Sequence, residues 1–186
     1  MKETTEKINT EAWYSVSEQD VRDALTQLLN QYPQGLVNVD MDKLELDARY
    51  PIVPGSYSRN RIYLDEYCEV VVAVWDKSMR CSAHNHGESK CAFILISGSL
   101  SEQSVTPCPE MRFSDKICSS RELIVNDFYY IDNRSNFHFI ENQSDEVSVS
   151  IHLYNPPLSG VTVLEQFRET RVHSASVFSL FNEPSI

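Results

Sequence analysis

From Ser56 onward, short runs of β-branched and aromatic residues alternate with turn residues, at 61–64, 69–75, 80–86, 91–97, 100–106, 122–125, 128–131, 137–141 and 147–154. Many short strands at close spacing predict an all-β barrel or sandwich. Two more runs, at 161–167 and 170–181, predict a further pair of strands. Ser97-Gly98-Ser99 predicts a hairpin turn between its flanking strands. The first part of the chain has a different texture. Residues 1–14 read as a frayed arm, and Ser17-Glu18-Gln19-Asp20 opens a helix with Ser17 as its cap. Val21, Leu25, Leu28 and Leu29 follow at helical spacing, until Pro33 and Gly35 end the helix. Residues 40–46 predict a second, short helix before Pro51. No repeat or linker divides the chain. The expectation is a single domain over residues 1–186, helical over 1–55 and a β-barrel over 56–186, with the helices packed on one end.

Charge narrows the partners. The chain has 186 residues with 16 Lys plus Arg against 27 Asp plus Glu, a net charge of −11. That excess of acid opposes nucleic acid, which attracts basic patches, and anionic membranes. No apolar run approaches the ~18 residues of a membrane span, and the polar N-terminus shows no signal-peptide pattern. The cysteines are Cys68, Cys81, Cys91, Cys108 and Cys118, an odd number without a C-x-x-C pair. Free thiols in a reducing cytoplasm are the expectation.

Candidate chemistry concentrates in Cys81-Ser82-Ala83-His84-Asn85-His86-Gly87-Glu88-Ser89-Lys90-Cys91. Read as a strand, this segment puts His84 and His86 on one face, a ready pair of metal ligands. A third ligand is needed, and His138, His152 and His173 remain. His173, among ordinary strand residues, reads as structural. Glu88 is a rival carboxylate, although Gly87 breaks the strand before it. A second feature is the run 147–154. Its odd positions, Val147, Val149, Ile151 and Leu153, are aliphatic, and its even positions are Ser148, Ser150, His152 and Tyr154. A solvated face usually carries Lys, Glu or Asp, and this one has none. A face of hydroxyl, imidazole and phenol suits the lining of a small polar cavity.

These spacings resemble the cupins. His84-Asn85-His86, then Cys91 and Gly98, is similar to the first cupin motif, and His138-Phe139-Ile140-Glu141-Asn142 to the end of the second. Ser78 stands where the first motif usually opens with glycine, and Cys91 stands where the usual carboxylate ligand would be. With Cys91 in that slot, three neutral imidazoles leave a divalent ion its full charge, which favours an anionic incoming ligand. The resemblance sharpens to the thiol dioxygenases, the cysteine dioxygenases among them. Tyr57-Ser58-Arg59-Asn60, Trp75, the block 81–100, Phe137-His138 and Ser150-Ile151-His152-Leu153-Tyr154-Asn155-Pro156-Pro157 carry it, in order, from about Tyr57 to Pro157.

The resemblance implies a cupin-type small β-barrel (jelly roll) and Fe(II) held by His84, His86 and His138. It implies oxidation of the L-cysteine thiol by O2 to cysteine sulfinate, in a monomer. Arg59 would bind the substrate carboxylate and Tyr57 would assist, with Arg61 on the same strand face as the alternative. Tyr154 would sit near the thiolate and dioxygen, oriented by His152 and Ser150. Cys91 and Tyr154 correspond to a pair joined by a thioether in some members. Asn155-Pro156 corresponds to a cis bond, and Trp75 reads as core. Two other readings stand beside this one: a 3-mercaptopropionate dioxygenase, against which Arg59 counts, and a metal-binding cupin sensor without catalysis.

Overall fold

A computed structural model describes residues 12–33, 37–106, 116–132 and 137–164. The strand expected at 170–181, His173 and Cys108 lie outside these residues; of the run 161–167, residues 161–164 are described and form only an isolated bridge between Val163 and His84. Helix α1 (Glu18–Gln31) starts where Ser17 Oγ accepts the Asp20 N–H at 3.0 Å, as its sequence predicts. Two other expectations for this part fail. Residues 40–46 form only a 3₁₀ turn at Met41–Lys43, and two strands, β1 (Ala12–Ser15) and β2 (Arg49–Ile52), pair with each other. Tyr14 opposite Tyr50 holds that ribbon against the core, a pairing too short to show periodicity.

The remaining strands are β3 (Tyr57–Leu64), β4 (Glu69–Trp75), β5 (Met79–Arg80), β6 (Lys90–Ser97), β7 (Leu100–Thr106), β8 (Lys116–Leu123), β9 (Phe128–Ile131), β10 (Phe137–Asn142) and β11 (Ser148–Asn155). They make a five-stranded sheet, β3-β4-β11-β6-β9, and a four-stranded sheet, β5-β10-β7-β8, antiparallel throughout. Among the described residues these are two separate sheets, not one closed barrel.

Gly98 shows why. It does not turn a hairpin, because β6 and β7 belong to different sheets. Its φ of +90° carries the chain from one sheet to the other, and a Cβ there would lie 2.2 Å from Ser148 Oγ. Ser148 Oγ also accepts the Ser99 N–H at 3.0 Å, which ties the crossing to β11. Ser78 is likewise in the left-handed region, φ +51°, at the position where the resembling motif has glycine.

The five-stranded sheet is buried on both faces. Val70, Val72, Val74, Ala92, Ile94, Val149, Ile151 and Leu153 pack with Val21, Ala24, Leu25 and Leu28 of α1. The helix therefore covers a sheet face instead of an end. The opposite face, with Val71, Ala73, Trp75, Cys91, Phe93, Leu95 and Tyr154, packs on the four-stranded sheet through Phe139, Ile140, Leu100 and Val105. The polar even positions of β11 thus point between the sheets, where Ser148 and Ser150 are fully buried. At ~25 cal/mol per Å² of apolar surface, two packed faces hold this strand firmly, and its side chains with it.

Candidate metal centre

The segment 81–86 is not a continuous strand, but it is held like one. His84 and His138 exchange backbone N–H···O bonds of 2.9 Å, and Cys81 N–H reaches Ile140 O at 3.0 Å. On its other side, Asn85 N–H donates to Thr162 O at 3.1 Å and Leu164 N–H to Ala83 O at 2.8 Å. Extended backbone between two partners alternates its side chains. His84, His86 and His138 consequently meet, their ligand nitrogens all within 4.8 Å of one another.

Hydrogen bonds fix which nitrogens face inward. His84 Nδ1 lies 2.8 Å from Ser82 O, and His138 Nδ1 lies 2.8 Å from Glu102 Oε1. A carbonyl and a carboxylate only accept, so both Nδ1 atoms carry the proton and both Nε2 atoms present lone pairs. His138 Nε2 sits 3.0 Å from His86 Nε2. Ligand nitrogens at ~2.1 Å from one ion stand roughly 3 Å apart, so the cluster fits a metal. Burial, with the neighbouring rings adding to it, lowers His84 to about 4 and His86 further still. The His84 and His86 rings are therefore neutral, the form that binds metal.

Glu102 escaped the sequence reading. It is buried on β7, where Oε1 takes His138 and Oε2 accepts Arg121 Nε at 2.6 Å. Burial pushes its carboxyl up, but the His138 hydrogen bond and the Arg121 charge outweigh it and hold the group below the usual carboxylate range. An ionised carboxylate on the far nitrogen orients a ligating imidazole and raises its basicity. The signal available was a glutamate at an inward position of a strand that ends apolar.

The other candidates line up beside the cluster. The Tyr154 ring lies 5.5 Å from His86, and the Arg59 guanidinium 5.4 Å above Tyr154. Arg59 Nη2 pairs with Glu69 Oε2 at 2.9 Å, whereas Arg61 is exposed. Cys91 and Tyr154 are direct cross-strand partners between β6 and β11. Trp75 Nε1–H donates to Ser150 Oγ at 2.8 Å, and Ser150 Oγ lies 2.8 Å from His152 Nε2. With two lone pairs, Ser150 Oγ accepts from the indole and still shares a hydrogen bond with His152 Nε2, while His152 Nδ1 lies 3.9 Å from Cys91 Sγ. The His152 ring is parallel to Tyr154 at 6.0 Å. Trp75 is buried, as read, yet its N–H joins this relay, and Tyr57 stacks on it at 4.6 Å. Burial foremost, and the Arg59 charge after it, lower His152 to about 3, and burial raises Cys91 and Tyr154 well above their ordinary values. The thiol and phenol are thus neutral at pH 7. Asn155-Pro156 is cis. Glu88 is exposed and outside the histidine cluster.

The profile of the family Cysteine dioxygenase type I matches residues 15–167. The chain belongs to that family. It is similar to the type 1 cysteine dioxygenase of Rattus norvegicus, 31% identical over 99 residues, 52% of this chain and 49% of the relative. The type 1 cysteine dioxygenases of Homo sapiens and Danio rerio are each 29% identical over the same shares. The chain spans about half the length of these curated relatives. In fold alone it resembles a recombinant oxalate oxidase in complex with glycolate, with a TM-score of 0.51 and 12% identity over 72% of this chain and 66% of that one. Among the described residues of this cysteine dioxygenase family member, no helix is long and apolar enough to cross a membrane.

Proposed function

We propose that this chain catalyses the iron-dependent oxidation of the L-cysteine thiol by O2 to cysteine sulfinate. The observation that carries the reading is the convergence of His84, His86 and His138 beside Tyr154 and Arg59. Fe(II) held by the three Nε2 atoms would supply the chemistry that lets a thiolate react with triplet O2. The protein's residues supply the rest. Arg59 binds the substrate carboxylate through charge-assisted hydrogen bonds and sets the distance of the sulfur from the histidines. Tyr154, neutral and between Arg59 and His86, offers its O–H as a hydrogen-bond donor to developing negative charge. His152, fixed by Ser150 and Trp75, keeps its Nδ1 toward Cys91 and braces the Tyr154 ring by stacking. Cys91 lies opposite Tyr154 across the sheet, within reach of the thioether that some family members form. The buried, largely apolar wall between the sheets excludes water.

The test is oxygen uptake by the purified iron-loaded chain with L-cysteine, with the product analysed by mass spectrometry after reaction under ¹⁸O2. Cysteine sulfinate carrying two labelled oxygens is the expected result. Cystine as the sole product would refute the reading.

A further inference from the structure

Residues 157–164 follow β11 and run along the segment that carries His84 and His86. Among the described residues they form no strand, only isolated bridges from Ser159 to Gly87 and from Val163 to His84. This strap is nowhere fully buried, although Leu158 and Leu164 lean on the core between the sheets. Few buried apolar contacts and exposed hydrogen bonds place such a segment at the low-stability end of a fold. Asn85 fastens it. The Asn85 N–H donates to Thr162 O at 3.1 Å, and the side-chain Oδ1 accepts the Thr162 N–H at 2.9 Å. The same Oδ1 accepts the Gly87 N–H at 3.2 Å, the turn an asparagine makes with its own backbone two residues on. His86 is the residue inside that turn. Its carbonyl accepts the Ser89 N–H at 3.0 Å, and Ser89 Oγ donates to Pro157 O at 3.2 Å. The strap lies so close that a Cβ on Gly87, at φ +57°, would stand 2.2 Å from Ser159 O.

We infer that Asn85 is a positioning residue: its amide oxygen joins the strap to the turn around His86 and so aims that imidazole at the metal. The inference goes beyond the proposed reaction but rests on its metal centre. Alternation along the extended segment puts Asn85 on the face opposite the two histidines, so it acts through His86 and not on the metal. Coupling of this kind is reciprocal. If a docked strap strengthens iron binding by some factor, iron strengthens docking of the strap by the same factor. An asparagine with a merely structural role would support stability without that exchange.

The experiment uses the full chain with Fe(II) under anaerobic conditions and needs no thiol. Iron affinity is read by competition with a chromogenic chelator, and docking by amide hydrogen exchange of the strap, followed by mass spectrometry. Asn85→Ala is expected to weaken iron binding about tenfold or more. In the wild type, iron is expected to slow exchange of the strap about tenfold or more, and to leave the β1–β2 ribbon, packed on the other face of the five-stranded sheet, unchanged. A change below about threefold in either measurement, or equal slowing in the ribbon, overturns the inference. Asn85→Asp keeps an acceptor oxygen in the same place, so its metal-free strap should exchange at the wild-type rate; exchange as fast as in Asn85→Ala overturns the role given to that oxygen. If Asn85→Ala loses its cooperative melt, Thr162→Pro replaces it under the same limits, since it deletes the N–H that Asn85 accepts and Thr162 is exposed. A wild type that binds no iron overturns the metal centre itself, and that is seen before any variant is compared.

Discussion

Arg59 and Glu69 each depend on the other. On the proposed function, Arg59→Ala removes the charge-assisted contact proposed for the substrate carboxylate and should lower kcat/KM for cysteine some tens- to hundreds-fold, roughly 2–4 kcal/mol, chiefly through KM. It also leaves Glu69 buried without its cation, which should destabilise the fold by roughly 3–5 kcal/mol. A second change, Glu69→Gln, should recover much of that stability and none of the substrate affinity; melting curves and steady-state kinetics on the same preparations separate the two losses. Glu102→Gln tests a different role. The amide keeps a similar shape but no longer offers an anion to His138, so the affinity for iron should fall about 10–100-fold, read by competition with a chromogenic chelator. An unchanged affinity would leave Glu102 as a purely structural partner of Arg121. His84, His86 and His138 were legible because histidine is scarce and their motif spacing is distinctive. Glu69, Glu102 and Arg121 were not, because a single charge inside a strand is visible, but the residue it meets lies on another strand.

β4, β7 and β9 were read with their true ends, and β6 and β11 to within one residue at each end. β8 was found only at its C-terminal end, since Lys116–Leu123 is an edge strand whose described side chains are exposed up to Leu123. Its place is set by backbone pairing with β7, which leaves no hydrophobic period to detect. The Gly98 turn was located but misassigned, because a glycine turn between two strands looks the same whether the strands pair or part. Its structural role is testable. Gly98→Ala forces a side chain onto Ser148 Oγ at a positive φ, and Ser148 lies in β11, two residues from Ser150. The expected cost is about 2–4 kcal/mol in urea unfolding, combining backbone strain with a core displacement. A cost below about 0.5 kcal/mol would mean that the crossing tolerates a side chain and that β11 is not anchored there.

Acid should destabilise the metal-free protein for a reason that lies inside it. The unfolded chain takes up protons at histidine near the ordinary value of 6.5, whereas folded His84 waits until about 4 and His152 until about 3. Below 6.5 the unfolded state therefore binds more protons than the folded state, and stability falls as the pH falls. His84 and His152 each contribute at most about 1.4 kcal/mol per pH unit, and His86 acts in the same direction. Glu102, held below its ordinary 4.5, adds to the loss at lower pH. The net charge of −11 works the other way, since protonating surface carboxylates relieves their mutual repulsion. That repulsion is spread over an exposed surface and screened within ~8 Å at physiological salt, whereas the imidazoles are shielded from solvent and unscreened. The buried groups should win. We expect the melting temperature of the metal-free chain to be flat above pH 7 and to fall steadily between pH 6.5 and 5, before most carboxylates titrate. Iron, occupying the same lone pairs that protons would take, should raise the melting temperature at pH 7 and lose that advantage as acid releases it. Circular-dichroism melts of both forms from pH 5 to 8 measure this directly. A metal-free protein equally stable at pH 5.5 and 7.5 would show that these rings take up protons without cost, and so do not sit in the dry, convergent cluster on which the proposed chemistry depends.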